Sequence, residues 1–367
     1  MVNLMAPLRG FARPYVPVSA PAAASDPTMV EVSSEKPPCY SASSATYRSS
    51  PRGGWVRLVL GLLVAAAAVW VAVRDVDGEQ LRVAFANMHT GWLVVAVGIS
   101  LLLQTFRSWR WQLELRPLCH VTLGRLWVVT SIAYMAINLL PARAGEVVRP
   151  WLLSRREPVT FSNVVGTLLV EKTMDSAVIM FYILLGLITT ENLPTWVRKG
   201  AMFPAIGLVV LVSLVVLVWW RGERMVARAV GRVLSKRAGT RVAAVASSMV
   251  DGMRVLGAPH LAAGVLAVSV VLWSLPILSS WVMTRAFALD VPFNAALVVF
   301  IFIGFGTALP QAPGMVGTYQ VACILALGLF GVPREQALAY GIALNAVQLL
   351  TLVGQGAGAL VIAKVGV

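Results

Sequence analysis

Two short polar interruptions of long apolar runs decide the fold of this chain: Leu-Pro-Ala-Arg-Ala-Gly-Glu at residues 140–146 and Leu-Pro-Gln-Ala-Pro-Gly-Met at residues 309–315. Both follow the spacing Leu-Pro-x-x-x-Gly, and they lie in opposite halves of the sequence. In membrane transporters, Gly- or Pro-broken hydrophobic segments at corresponding places of two halves point to a substrate site near the bilayer midplane. We therefore predict that these two interruptions form the functional centre.

Composition identifies the class of protein. Hydrophobic residues make up 58% and charged residues 13% of the 367 residues, and the mean hydropathy is +0.78. These values predict a polytopic membrane protein and exclude a soluble domain. The net charge of +14 does not predict nucleic-acid binding, because the basic residues lie mostly between apolar runs, where they orient helices. The cysteines and histidines are scattered, so we predict neither a metal site nor a cofactor.

The apolar runs predict an all-α membrane domain over residues 53–367, preceded by a disordered cytoplasmic tail over residues 1–52. A spanning helix needs roughly 20 apolar residues. We predict about six full spans, at residues 55–73, 91–115, 163–190, 202–220, 260–287 and 337–363. The flanking arginines place both termini in the cytoplasm. A basic amphipathic connection is predicted over residues 221–257 on the cytoplasmic side.

The two interruptions predict re-entrant hairpins. The run before the first interruption ends at Pro141, and basic residues follow too soon for a full crossing outward and back. Pro310 follows Pro141 by 169 positions, and the same offset brings the spans that start near residues 91 and 163 close to later spans. We therefore predict that residues 91–190 and 260–363 form an inverted-topology repeat. The predicted helix-breaking residues are Pro141, Gly145, Pro310, Pro313, Gly314 and Gly317.

The interruptions also carry the predicted binding groups. Arg143 can grip a phosphate or a carboxylate through its fork of donors, and backbone amides freed by the break can assist it. Alternatively, Arg143, Glu146 and Arg149 form a salt bridge that only holds the hairpin. The predicted substrate-binding residues are Asn138, Arg143, Glu146, Arg149, Gln311, Tyr319 and Gln320.

Three charged residues, Glu171, Lys172 and Asp175, occur inside a predicted span. Each would cost roughly 2.5–3.5 kcal/mol at the centre of a helix, so each needs a partner or a wet cavity. Glu171 and Asp175 are four residues apart and share a helix face. We predict charge pairing or proton coupling for this group, and snorkelling to the cytoplasmic surface is the alternative.

Four segments together resemble a known family: residues 107–115, 138–149, 170–175 and 309–320. In this order they are similar to the lysylphosphatidylglycerol synthase transmembrane, or flippase-like, family. The resemblance covers about residues 55–364 and implies a lipid-translocating membrane domain. In some relatives this domain is fused to a soluble aminoacyl transferase that modifies phosphatidylglycerol with lysine. We find no such segment in this sequence, so we do not expect lysyl transfer by this chain alone.

These observations predict a transporter, not an enzyme. The motifs GxSxG, HExxH and GxxxxGK[ST] are absent from the sequence. We expect translocation of an anionic or aminoacylated phospholipid, or of a polyprenyl-linked lipid, in a bacterial-type inner membrane. The expected partners are lipids with anionic headgroups and a lipid-modifying enzyme. A non-transporting scaffold for such an enzyme and a membrane-embedded transferase are the alternatives.

Overall fold

The computed structural model describes residues 63, 66–74, 76–139, 145–190, 193–213, 215–217, 245, 247–307 and 313–365. Within these ranges the protein is helical and contains no strand. The predicted tail, most of the first predicted span and of the basic connection, and four predicted site residues lie outside the described residues. These four residues are Pro141, Arg143, Pro310 and Gln311.

The α-helices that carry the argument lie within the described chain. They are α1 (Gly78–Ala86), α2 (Gly91–Leu115), α3 (Leu123–Leu139), α4 (Gly145–Arg156), α5 (Phe161–Thr189), α6 (Thr195–Gly200), α7 (Pro259–Ala286), α8 (Phe293–Gly306), α9 (Thr318–Gly328) and α10 (Arg334–Val365). Short 3-10 turns occur at Arg254–Gly257 and Pro313–Met315.

Four helices in the described part of the chain are long and apolar enough to cross a membrane: Gly91–Leu115, Val197–Leu217, Pro259–Ala286 and Arg334–Ala363. Helix α5 is 29 residues long and contains the three charged residues discussed above. Large apolar side chains on the long helices are exposed, such as Ile188 at 79% and Leu350 at 70%. Exposed apolar surface on this scale is expected where lipid replaces water as the solvent. The chain is therefore a multi-pass membrane protein.

Two pairs of short helices accompany these spans. Helix α3 packs against α4, and α8 packs against α9. Gly145 allows the first pair to approach closely, because a Cβ atom at this position would lie 2.2 Å from the backbone nitrogen of Ile137. Between α8 and α9, the backbone adopts positive φ at Gly314 (71°) and Gly317 (86°), which glycine tolerates without strain. The predicted breaks at Gly145, Gly314 and Gly317 therefore coincide with helix ends or turns.

The contacts between helices follow a two-fold pattern. Helix α2 packs against α7. The first half consists of α2, α3, α4 and α5, and these helices correspond in order to α7, α8, α9 and α10 of the second half. Each of the other main contacts among these eight helices has a counterpart between the corresponding helices. Thus α3 contacts α10 as α5 contacts α8, and α2 contacts α5 as α7 contacts α10. The main apolar core lies in the second of these halves and includes Met283, Val298, Phe302 and Leu327.

Candidate functional site

A cavity of about 680 Å³ lies between the two halves. Side chains at helical spacing on α2 line one wall, at positions 100, 103, 104 and 107, and side chains on α10 line another, at positions 345, 348, 352 and 355. Residues three, four or seven apart share one face of a helix, so each helix presents a single stripe to the cavity. The remaining walls are largely apolar and include Trp273, Phe300 and Phe305. The cavity volume falls in the range that accommodates small-molecule ligands.

Among the described residues, one guanidinium lines this cavity. Arg107, on α2, lines the cavity and lies 4.2 Å above the ring of Tyr134 on α3. Among the described residues, no carboxylate lies within salt-bridge distance of Arg107. A cation stacked on an aromatic ring keeps its in-plane donors available. Arg107 can therefore donate hydrogen bonds to an anion in the cavity.

Carboxamides dominate the other polar groups of the cavity wall. Five of them line it: Gln104, Asn138, Asn345, Gln348 and Gln355. Three use a donor within the protein: Gln104 donates to Ser131 Oγ (3.1 Å), Asn138 to the carbonyl of Tyr134 (3.0 Å) and Asn345 to the carbonyl of Gly314 (3.2 Å). Two buried atoms, Gln104 Oε1 and Gln355 Nε2, have no hydrogen-bond partner. Gln104 Oε1 is an acceptor and Gln355 Nε2 is a donor, and no described residue satisfies either of them.

A second polar feature is a buried ion cluster centred on Arg110. This side chain is 1% exposed, and its Nη2 atom lies 2.9 Å from Glu171 Oε1. The same guanidinium also pairs with Asp175, where Nη2 and Oδ2 are 3.4 Å apart. Glu171 Oε2 in turn accepts a hydrogen bond from Arg149 Nη1 (2.6 Å). The cluster therefore joins α2, α4 and α5 of the first half.

Three further groups complete the ion cluster. Arg149 stacks 3.9 Å above the ring of Trp111, and Trp273 of α7 donates from Nε1 to Asp175 Oδ1 (2.7 Å). The carboxylate of Glu114 lies 3.7 Å from Arg110 Nε, and neither of its oxygen atoms accepts a hydrogen bond. Two arginines thus face three carboxylates inside the first half. Pairing compensates Arg110, Arg149, Glu171 and Asp175, whose charges would otherwise be very costly in a membrane, and leaves the Glu114 carboxylate without a hydrogen bond.

Comparison with known proteins agrees with this architecture. The model of a family described as the lysylphosphatidylglycerol synthase TM region matches residues 58–356. The chain belongs to this family. The resemblance drawn from the sequence motifs is thereby confirmed.

Two relatives of this chain illustrate the family. A protein named UPF0104 membrane protein, from Methanothermobacter thermautotrophicus, is 22% identical over 74% of this chain and 82% of its own length. The protein named glycosyltransferase AglD, from Haloferax volcanii, is 26% identical over 82% of this chain. That match covers 53% of AglD, so the chain spans about half the length of this relative.

The predicted binding residues of this family member fall in different environments. Asn138 and Tyr319 line the cavity, as does the predicted turn residue Gly314. Arg149 lies in the ion cluster and not in the cavity wall. Gln320 is buried and accepts a hydrogen bond from the backbone amide of Gly317 (2.7 Å), so it caps helix α9.

The predicted charge-pairing residues on α5 also separate. Glu171 and Asp175 belong to the ion cluster. Lys172 points away from it, with its Nζ atom 3.9 Å from Glu146 Oε1 and with both side chains about half exposed. Pro313 begins the short 3-10 turn before α9.

Several polar residues of the site did not enter the sequence prediction. Arg107 and Arg110 were interpreted there only as basic residues at the cytoplasmic end of a span, yet both face inward. One signal was present: Arg110 and Glu114 are four residues apart, a spacing that places opposite charges together on a helix. The carboxamides of α10 follow no charge pattern, and only tertiary packing shows that they face a cavity.

Proposed function

We propose that this membrane protein moves a lipid between the two leaflets, with the headgroup passing through the cavity and the acyl or polyprenyl tails remaining in lipid. The observation that carries the proposal is the cavity itself, which lies between the halves and combines apolar walls with Arg107 and a set of carboxamides. A polar headgroup cannot cross hydrocarbon cheaply without such groups. Lipids of the classes considered above, anionic or aminoacylated phospholipids and polyprenyl-linked lipids, all present such a headgroup.

The two halves supply a mechanism for changing access. The exchange pattern of the helix contacts supports an inverted repeat, formed by residues 91–190 and 260–363, with α3–α4 and α8–α9 as re-entrant hairpins. Rocking of one half against the other would open the cavity to one leaflet and then to the other. Arg143 and Gln311 belong to the interruptions between the legs of these hairpins, and we retain them as substrate-binding residues. The termini are proposed to be cytoplasmic.

The ion cluster holds the first half together in this scheme. Arg110 and Arg149 are already engaged by Glu171 and Asp175, so these arginines are positioning residues. Of the described arginines, Arg107 is the one that lines the cavity and is left for the headgroup, beside the proposed Arg143. Proton coupling through Glu171 or Asp175 would require breaking these pairs.

A second function is favoured by one comparison. The relative named a glycosyltransferase is about twice as long as the matched region, so the shared membrane domain can serve as a platform for lipid-modifying chemistry in another part of a protein. In that case the chain would present a lipid to a partner enzyme without moving it across the membrane. A transferase site inside the membrane domain is a weaker alternative, because the cluster carboxylates are occupied by arginines.

A steric block distinguishes translocation from presentation. Gly304 lines the cavity, and a Cβ atom there would meet nothing within 4 Å, so Gly304→Trp places an indole into open cavity space. Gly98→Trp, on α2 and outside the cavity wall, is the matched control. Purified protein is reconstituted in liposomes with headgroup-labelled phosphatidylglycerol, and an impermeant quencher reports the outer leaflet.

We expect translocation by the wild type and by Gly98→Trp, and its loss in Gly304→Trp. Translocation at the wild-type rate in Gly304→Trp would exclude the cavity as the route. Absence of translocation of every tested lipid by the wild type would favour the platform function.

A further inference from the structure

The described cavity wall carries a positive charge and no negative charge, and this restricts the substrates that it can bind. Arg107 contributes a positive charge, whereas no Asp or Glu belongs to the wall formed by the described residues. Two segments outside the described residues lie close in sequence to residues of the cavity wall, at 140–144 and 308–312. Neither segment contains Asp or Glu. The carboxylates of the ion cluster, Glu114, Glu171 and Asp175, face Arg110 and Arg149 and do not line the cavity.

A cationic headgroup would find no anionic partner among the described residues of this cavity wall. A lysyl group attached to phosphatidylglycerol brings two ammonium groups and only one phosphate. An ammonium group placed in a buried site without a carboxylate loses its hydration and gains no ion pair. A single phosphate, in contrast, can accept charge-assisted hydrogen bonds from the Arg107 guanidinium.

The uncharged groups of the wall indicate what accompanies the phosphate. Gln104 is 2% exposed with a free acceptor, and Gln355 is 9% exposed with a free donor. A hydroxyl group is both a donor and an acceptor, so hydroxyl-bearing ligands satisfy both kinds of orphan atom. Asn138, Asn345 and Gln348 supply further amide groups of the same chemistry. Acyl chains would pair with neither atom, and an ionised phosphate could accept a hydrogen bond from Gln355 Nε2 but could not donate one to Gln104 Oε1.

We propose that the cavity selects a headgroup made of one phosphate and a neutral, hydroxyl-rich unit, such as glycerol or a sugar, and excludes cationic aminoacylated headgroups. This proposal rests on the function proposed above and narrows it to one class of substrate. Arg107 binds the phosphate, and Gln104 and Gln355 bind the hydroxyl groups. Selectivity arises from the absence of a carboxylate as much as from the presence of the arginine.

Equilibrium binding tests the selectivity without requiring transport. The full chain in nanodiscs of phosphatidylcholine is loaded with fluorescent phosphatidylglycerol, and the signal is competed with four unlabelled lipids. These are phosphatidylglycerol, a polyprenyl glucosyl phosphate, phosphatidic acid and lysyl-phosphatidylglycerol. The two hydroxyl-bearing lipids are expected to compete about tenfold better than lysyl-phosphatidylglycerol. Of these two lipids, the stronger competitor shows whether the cavity prefers a glycerol or a sugar headgroup.

Variants separate the two parts of the headgroup. Arg107→Gln is expected to weaken all phosphate lipids about tenfold, and Arg107→Lys to restore part of the affinity because the charge returns. Gln104→Leu with Gln355→Leu is expected to weaken the hydroxyl-bearing lipids while leaving phosphatidic acid unchanged. Arg82→Gln, which removes an exposed arginine outside the cavity, is the control for charge.

The proposal is overturned if lysyl-phosphatidylglycerol competes as well as or better than phosphatidylglycerol, or if none of the four lipids competes. It is also overturned if Arg107→Gln, shown to be folded by its thermal transition, binds phosphatidylglycerol like the wild type. Selective binding without translocation in liposomes would leave the substrate class standing and remove only the transport function. Translocation with a preference for the lysyl lipid would support the transport function and overturn the proposed substrate class.

Discussion

Replacement of Arg110 by methionine is the sharpest test of the buried ion cluster. Methionine retains an unbranched chain of similar reach but removes the charge that contacts Glu171 at 2.9 Å, Glu114 at 3.7 Å and Asp175. Of the three carboxylates, only Glu171 would then keep an arginine partner among the described residues, Arg149 at 2.6 Å. Both Arg110 and Glu114 are almost fully buried, so solvent cannot compensate for the loss.

The expected cost is large. Removing one partner of a buried ion pair destabilises a protein by about 3–5 kcal/mol, because the other charge is left uncompensated. Arg110 serves more than one carboxylate, so we expect a loss in the upper part of this range. A loss of about 4 kcal/mol lowers the folded-to-unfolded ratio roughly a thousandfold.

Reversible unfolding in mixed micelles, titrated with a denaturing detergent and followed by circular dichroism, measures this loss. The control is Arg82→Met, which breaks a 2.6 Å pair with Glu79 whose side chains are 74% and 64% exposed. An exposed pair contributes about 0–1 kcal/mol, so the control should unfold nearly like the wild type. Asp175→Asn in the Arg110→Met background should recover part of the stability by removing a stranded charge. A free energy of unfolding for Arg110→Met within about 1 kcal/mol of the wild type would refute this view of the cluster.

Three further predictions address the hairpin, the stacked arginine and the topology. Gly145→Ala should destabilise the protein or abolish its folding, because the added methyl group would collide with the backbone of α3. Gly98→Ala, where the added methyl group meets open space, is the control and should be neutral or stabilising by up to about 1 kcal/mol. Thermal unfolding compares the two variants. Arg149→Lys keeps the charge but loses the stacking on Trp111, so the same assay should show about 1–2 kcal/mol of destabilisation. In a variant that retains Cys119 as its single cysteine, an impermeant maleimide should label the inside-out vesicles and not the right-side-out ones. Because burial and a neighbouring carboxylate raise the pKa of the Cys119 thiol, labelling should be slow at neutral pH and accelerate as the pH rises toward that pKa.

Local chemistry explains how much of the fold could be predicted. Long apolar runs specify helices by composition, and Gly and Pro grouped in a polar interruption end them, so the breaks at Gly145, Gly314 and Gly317 could be predicted from the sequence. An isolated proline does not have this effect, since Pro150 and Pro276 lie inside helices. The ordered motifs were also sufficient for the family. Helix boundaries at the start of α3 and α4 were less accessible, because the hairpin legs are shorter than a full span.

The polar site was harder to predict, for a physical reason. Basic residues near a span end carry information about topology by their position along the chain, whereas their role in a site depends on the helix face they occupy. Arg107 and Arg110 are three residues apart, and the sequence gives no indication that one lines a cavity while the other meets three carboxylates. The pair of Glu171 and Asp175 was readable because carboxylates inside an apolar run require an explanation.

The arginines of the first half differ in where their partners come from, and this difference separates structure from function. Arg110 and Arg149 find their carboxylates within the protein, so their removal strands buried charge and costs stability. Arg107 has an aromatic ring beneath it and no carboxylate within salt-bridge distance among the described residues, so its removal strands nothing. Arg107→Gln should therefore lose only the stacking on Tyr134, about 1 kcal/mol, and no ion pair, while it loses lipid affinity. Arg107 has no carboxylate partner among the described residues, so its charge needs a partner from outside the protein. A lipid phosphate supplies that partner.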